Sequence, residues 1–397
     1  MIAKLKDVCE FIVDCPHTTA QDEGQGYPLI RTPNIGKGRF DLDGVHRVSE
    51  DIYKKRNLRA TPQDNDLIFA REAPAGNVAI IKNGNKFCLG QRTVLIRPNP
   101  QLVCPEFLTF FLLAPQQQYG LLGTANGATV AHVNLPTIRE LEIDIPSLEE
   151  QCHIANILSV YDDLIENNQN QIKLLEEAAQ RLYKEWFVDL HFPGWENTTI
   201  TDDVPEGWEQ KTIADVSSVL RRGISPKYND AAEITVINQK CIRQTIVDMS
   251  ESRKQEKKFP DELTLLDSDA VICSTGAGTL GRVGQIFGDY PNTTLDSHVT
   301  LVRAADKCGK QFVFYTLKFH QNRLMGMGQG STNQLELSRS VIQQTDLLFP
   351  PEEMVAQFER IAQPIHDRIT ALNRQSIFLK EARDRLLPKL MSGELEV

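Results

Sequence analysis

No two cysteines in this chain stand at CxxC spacing, and none of the eight (Cys9, Cys15, Cys88, Cys104, Cys152, Cys241, Cys273 and Cys308) is placed with histidine as in a zinc finger. The common structural zinc sites and thioredoxin-type redox chemistry are thereby excluded, and free thiols in a reducing compartment are expected. The longest apolar run, FLTFFLLA at 107–114, is far too short to span a membrane. The opening MIAKLKDVCEF has no signal-peptide core, so the expectation is a cytoplasmic protein. Also missing are a GxxxxGK[ST] phosphate loop, a [DN]PP[YFW] adenine-methylation motif and an FxGxG methyl-donor loop. An ATP-driven motor or a methyltransferase within this chain is not expected.

What is present is a large acidic chain: 397 residues, net charge −10 and 41% apolar residues, enough for two or three domains. The acidity is local. Residues 147–195 hold nine acidic and three basic side chains, whereas residues 1–146 hold sixteen of each. A basic cleft within a neutral domain is compatible with such a balance, because the local field attracts phosphate.

One motif invites a nucleotide. STGAGTLG at 274–281 places Gly276, Gly278 and Gly281 in GxGxxG spacing after the apolar DAVIC, as a dinucleotide-dependent enzyme would. A helix must follow such a loop, yet RVGQIFGDYPNTT reads as a second strand with turns.

The chain also repeats itself at an offset of about 203–208 residues. DNDLIFA at 64–70 matches DSDAVIC at 267–273, and TVLIRP matches VTLVRA with Arg97 opposite Arg303. IDIPSLEE at 143–150 matches LLFPPEEM at 347–354, and LEEAAQRL at 175–182 matches LKEARDRL at 379–386. Gly281 then falls opposite Gly76, whose loop lacks the other two glycines. The glycine-rich loop therefore reads as shared scaffold.

After the first repeat, Ser147 with Glu150 forms a capping box. Two rows recur at heptad spacing: Leu158, Ile165, Ile172, Ala179 and Trp186, beside Ile154, Tyr161, Asn168, Leu175 and Leu182. Their counterparts are Ala362, Ile369, Ser376, Arg383 and Leu390, beside Phe358, Ile365, Leu372, Leu379 and Leu386. Two such helices can bury their seams as a coiled coil. Pro364 predicts a break in the second, with a long helix starting there, and by analogy a bend near Val160 in the first. The expected boundaries are a first domain at 1–146, a helical region at 147–190, linker and second domain at 191–350, and a helical region at 351–397. A duplicated protein-binding adaptor fits this layout as well.

The pieces IPSLEEQCHIANIL, LIENNQNQIKLLEEAAQRLYKEWFVD, VPEGWEQKTIADV and ARDRLLPKLMSGELEV, in this order, resemble the specificity subunit of type I restriction-modification systems. The resemblance implies an α+β fold: two similar mixed α/β target-recognition domains, joined by two long antiparallel coiled-coil helices in a pseudo-twofold repeat. It implies that each domain reads half of an asymmetric site on double-stranded DNA and that the helices set the gap. Two methyltransferase subunits and restriction (translocase) subunits would dock on it. It implies no catalysis and no cofactor here, with S-adenosylmethionine, ATP and Mg on the partners.

Base and phosphate contacts need forked, amide or hydroxyl side chains at loop edges. The first repeat offers His17, Thr18, Thr19, Arg31, Asn34, Lys37, Arg71, Gln91, Arg92, Asn126 and Thr129. Glu72 is expected to hold the adjacent Arg71. The second offers Arg221, Arg222, Lys227, Asn238, Gln239, Lys240, Arg243, Ser297, His298, Ser331 and Thr332. Where the scaffold matches, these positions differ: Arg31 faces Asn238, Thr32 faces Gln239, and Arg92 faces His298.

Overall fold

The structure, a computed structural model, describes residues 2–123, 132–276, 278–330 and 335–395. The chain divides into two compact units, residues 1–166 with 376–397, and residues 167–375. The two units repeat one strand arrangement.

In the first unit the apolar runs become an antiparallel four-stranded sheet in the order Cys9–Asp14, Thr93–Pro98, Leu67–Ala70, Val78–Ile80. The second unit orders Ser217–Arg222, Val299–Ala304, Ala270–Cys273, Val283–Gln285 in the same way. Leu67–Ala70 and Ala270–Cys273 are buried on both faces, which explains continuous apolar runs where a half-exposed strand would alternate. A three-stranded sheet with one parallel pair and a two-stranded antiparallel sheet also recur in each unit.

The same ion pair fastens both copies. Arg97 sets Nε and Nη2 each 2.7 Å from the two oxygens of Asp66, and Arg303 meets Asp269 at 2.8 and 2.6 Å. Burial pushes the Asp269 carboxyl up, and the guanidinium fork opposes that shift.

Helices Leu148–Phe187 and Glu352–Met391 contain 40 residues each. Ser147 Oγ accepts from the Glu150 N–H at 3.2 Å, the capping bond expected from the sequence. Leu158, Ile165, Ile172, Ala179 and Trp186 are all buried, as are Phe358, Ala362, Ile369, Leu372, Ser376 and Leu390. Within the first unit, Asp162 meets Arg383, while Ile154 and Leu158 share a core with Leu387 and Leu390. Within the second, Asn168 meets Gln375, Gln171 meets Arg368 and the Trp186 ring meets Phe358, so each pair of helical segments runs antiparallel. The coiled-coil pattern is realised.

The break at Pro364 is not. The second helix continues through it, and the first is unbroken at Val160, where no proline intervenes. Pro364 and Arg360, whose carbonyl loses its helical partner, are both exposed, so water can satisfy that oxygen. Buried Ala362 and Ile369 on either side anchor the flanking turns. No helix among the described residues is long and apolar enough to cross a membrane, and all eight cysteines are free.

Glu176, on the first long helix in the second unit, lies against Lys318 and Thr245. Burial pushes its carboxyl up to about 7, against the opposing pull of Lys318. A folded-state value above the unfolded 4.5 means that the native form holds its proton longer. The associated stability is complete below pH 4.5 and is lost as pH rises through about 7. Between pH 5 and 8 the native chain should lose about 1–3 kcal/mol that Glu176→Gln does not. Parallel denaturant titrations of both proteins across this window check it; equal pH slopes would refute it.

Candidate nucleic-acid interface

Antiparallel pairing brings three loops of the first unit to one sheet edge. Asp14 ends its strand opposite Val94, and Ala70 ends opposite Thr93, so residues 14–19, 71–76 and 90–92 converge. There a chain of side chains runs outward. Asp14 Oδ2 lies 2.7 Å from Arg71 Nη1, and Arg71 Nε donates to the Val133 carbonyl at 2.9 Å. Arg71 Nη2 lies 2.9 Å from His132 Nε2. Arginine offers only donors, so this histidine nitrogen accepts and the ring proton sits on Nδ1. Nδ1 donates to Glu72 Oε1 at 2.6 Å, and Glu72 Oε2 lies 2.8 Å from Arg92 Nη1. Asp14, not Glu72, holds Arg71. Glu72 reaches the exposed Arg92 instead.

His17 joins the same edge, with Nε2 3.2 Å from Asp14 and its carbonyl accepting from Gln91 Nε2 at 3.0 Å. Gly90 lets Arg31 pass close by, since a Cβ at 90 would stand 3.0 Å from both Cα and Cγ of Arg31. Arg31 Nε is buried with no hydrogen-bond partner among the described residues. Thr18, Thr19 and Lys37 are exposed. Asn34 is buried, and its amide is committed to the turn, accepting from Arg31 N at 3.2 Å and donating to Asp41 O at 3.1 Å. The turn geometry that makes Asn34 useful locally withdraws it from the readers proposed on sequence.

The second unit builds the same edge from residues 223–227, 274–276, 278–282 and 296–298. His298 Nδ1 lies 2.7 Å from Thr275 Oγ1, and the His298 N–H donates to Asp296 Oδ1 at 2.9 Å. Burial pushes the Asp296 carboxyl up, against the pull of that N–H. Gln239 Oε1 accepts from Thr275 and Thr279 at 3.5 and 3.4 Å, and Ser297 is half-buried beside His298. Lys240 and Arg243 are exposed, Arg243 donating to the Lys240 carbonyl at 3.2 Å. Arg222 is tied to Glu336 at 2.6 Å and to the Leu337 carbonyl at 2.8 Å, while Arg221 and Lys227 pair with Glu262 and Glu256. Asn238 is buried and caps its own turn through Lys240 N at 2.8 Å, so it parallels Asn34. Asn126, Thr129, Ser331 and Thr332 lie outside the described residues.

The GxGxxG loop falls within this edge, but it joins the antiparallel strands Ala270–Cys273 and Val283–Gln285 and no helix follows it directly. The dinucleotide reading loses its structural basis. The Gly281 N–H donates to Cys273 O at 2.8 Å with φ +74°, just as the Gly76 N–H donates to Ala70 O at 2.9 Å with φ +90°. A Cβ at 281 would lie 2.6 Å from Met325 N, so the tight hairpin requires this glycine.

Sequence reasoning missed His132 and Asp14, which support the edge, and Arg56. The latter is buried and ties the loops down through Leu89 O at 2.8 Å and Thr18 O at 2.8 Å. Within the run KKR at 54–56 it reads as an ordinary solvated charge. Only its tertiary acceptors distinguish it.

A family model described as type I restriction modification DNA specificity domain matches residues 1–177. The type I restriction enzyme MjaIX specificity subunit of Methanocaldococcus jannaschii is 29% identical over 409 residues, covering 100% of this chain and 93% of that protein. Along its whole length the chain is similar to type I restriction-modification specificity subunits. The HindI specificity subunit of Haemophilus influenzae is 22% identical, covering 83% of this chain and 86% of its own. The crystal structure of an S subunit from M. genitalium shares the fold, with a TM-score of 0.58 over 98% of this chain and 95% of that one at 16% identity. The segment matched by the family model takes in the first repeat and enters the first long helix. The second repeat shows its kinship through strand order and the Arg303–Asp269 pair.

Proposed function

We propose that this chain is the specificity subunit of a type I restriction-modification complex and reads an asymmetric, two-part site on double-stranded DNA, one half through the loop edge of each unit. The long helices would set the gap between the halves and dock two methyltransferase subunits and the restriction (translocase) subunits. The role is non-catalytic and cytoplasmic: S-adenosylmethionine, ATP and Mg belong to the partner subunits, and no cofactor is assigned to this chain.

One observation carries the reading. Both units hold the same frame down to the bidentate Arg–Asp pair and the hairpin glycine, while the side chains at the edge differ. Arg71 stands where Ser274 does, Glu72 where Thr275 does, and Arg92 where His298 does. Two unlike half-sites require this combination, since phosphate contacts position a common frame and base contacts vary. A duplicated protein-binding adaptor has no need for two such edges.

Replacing residues 1–146 with the corresponding segment of a relative should change one half of the methylated motif and leave the other intact. Genome-wide methylation mapping of cells carrying each gene is the measurement. A motif altered in both halves would refute independent reading, and wild-type complex without duplex DNA binding would favour the adaptor.

A further inference from the structure

Arg92 is the outermost member of a supported series. Its predecessors Arg71, Asp14 and Glu72 are 11%, 15% and 19% exposed, His132 is 38% exposed, and the Arg92 side chain is 60% exposed. Exposed arginines ordinarily sample many rotamers, and fixing one costs entropy. Here five side chains from four segments of the chain, Asp14, Arg71, His132, Glu72 and Arg92, are linked by contacts of 2.6 to 2.9 Å. The backbone at Arg92 is in the left-handed region, φ +63°, sparsely populated by residues other than glycine, asparagine and aspartate. A strained residue at the end of a rigid relay signals placement for a purpose beyond folding.

The second unit builds the same pair of positions with other chemistry. Glu72 bridges to His132 as Thr275 bridges to Glu336 across the corresponding strand edge. The bridging residue itself holds the outer side chain in each: Glu72 holds Arg92, and Thr275 holds His298. Support and reader thus recur together while both identities change.

Resting on the DNA-reading proposal above, we infer that Arg92 reads a guanine in the first half-site and that Glu72 is a positioning residue for it. Guanidinium offers five donors and no acceptor; with Nη1 ion-paired to Glu72, enough remain for a forked contact. In the major groove guanine alone presents two adjacent acceptors, N7 and O6, to such a fork. Position 298 reads the second half-site through imidazole, without that fork.

The test uses the full chain in its methyltransferase complex, scored by competition among duplexes varied at each motif position and by the methylated motif in cells. Arg92→Gln should lower discrimination for guanine at one position of one half-site by about 10- to 100-fold. Glu72→Gln should act at the same position but more weakly, and His298→Ala should affect only the other half. Replacing the guanine by 7-deazaguanine removes N7; wild type should lose affinity and Arg92→Gln should not respond. Arg92 and His298 are exposed, so thermal melts should confirm that these variants fold. If Arg92→Gln instead weakens all duplexes equally and lowers the salt dependence by about one phosphate contact, the residue touches backbone and the inference is overturned while DNA reading stands. An unchanged motif and affinity also overturns it. A wild-type complex that binds no duplex removes both.

Discussion

Phe358→Ala should lower the thermal midpoint of the unit formed by residues 167–375 by about 10 °C, corresponding to roughly 3–5 kcal/mol. Phe358 is fully buried where the two long helices meet the second domain body. Its ring lies 5.1 Å from Phe187, 6.0 Å from Trp186, 6.2 Å from Tyr183 and 6.4 Å from Tyr315, mostly edge to face. Truncation removes the transfer energy of the ring, opens a cavity among four rigid aromatic groups that cannot close over it, and deletes several edge contacts. Phe358→Leu should cost far less, about 1.5 kcal/mol or below, because much of the volume is retained. Differential scanning calorimetry of the three proteins decides the matter. A midpoint for Phe358→Ala within a degree of wild type would mean that the helices are held to this unit elsewhere.

Arg383→Leu has the largest effect expected in the other unit, destabilising it by about 3–5 kcal/mol. Arg383 Nη1 lies 2.5 Å from Asp162 Oδ1, and Asp162 is buried. Removing the guanidinium leaves a carboxylate in a seam lined by Leu158, Leu387 and Leu390. Asp162→Leu should be milder, because Arg383 retains Asp384 at 2.8 Å and can reach water. The double variant Asp162→Leu with Arg383→Leu should recover most of the loss, since an apolar pair of similar size is often neutral or better. A double-mutant cycle in urea gives the coupling directly. Additive losses would show that the two side chains do not depend on each other.

The heptad rows illustrate what was legible in advance. Every member of the row from Leu158 to Trp186 is buried, because a period close to 3.6 with apolar residues is enough to define a helix face. Pro364 illustrates the opposite: local propensity predicts a break, yet burial of Ala362 and Ile369 and the exposed position of the freed carbonyl carry the helix through. The readout edge lies between these cases. His17, Arg71, Gln91, Arg92 and His298 were identified by residue type, and the structure brings the first four together. Asn34 and Asn238 looked equivalent to them and are spent on turns. Residue type states what a side chain can bond, not whether the fold has already used that capacity.

By itself, the amino-acid order determined the duplication, the strand pattern within each copy, the two long helices and the fact that a glycine-rich loop was scaffold. These depend on periodicity and on residues near in sequence, where few conformations compete. Only the tertiary structure decided which polar groups remain available at the edge. Glu72 was expected to hold the adjacent Arg71, but it pairs with Arg92 and hydrogen-bonds His132, 20 and 60 residues away in the chain. Which partner a charge finds depends on how antiparallel strands stack their ends, and that register is fixed by burial of the whole sheet rather than by the charges themselves.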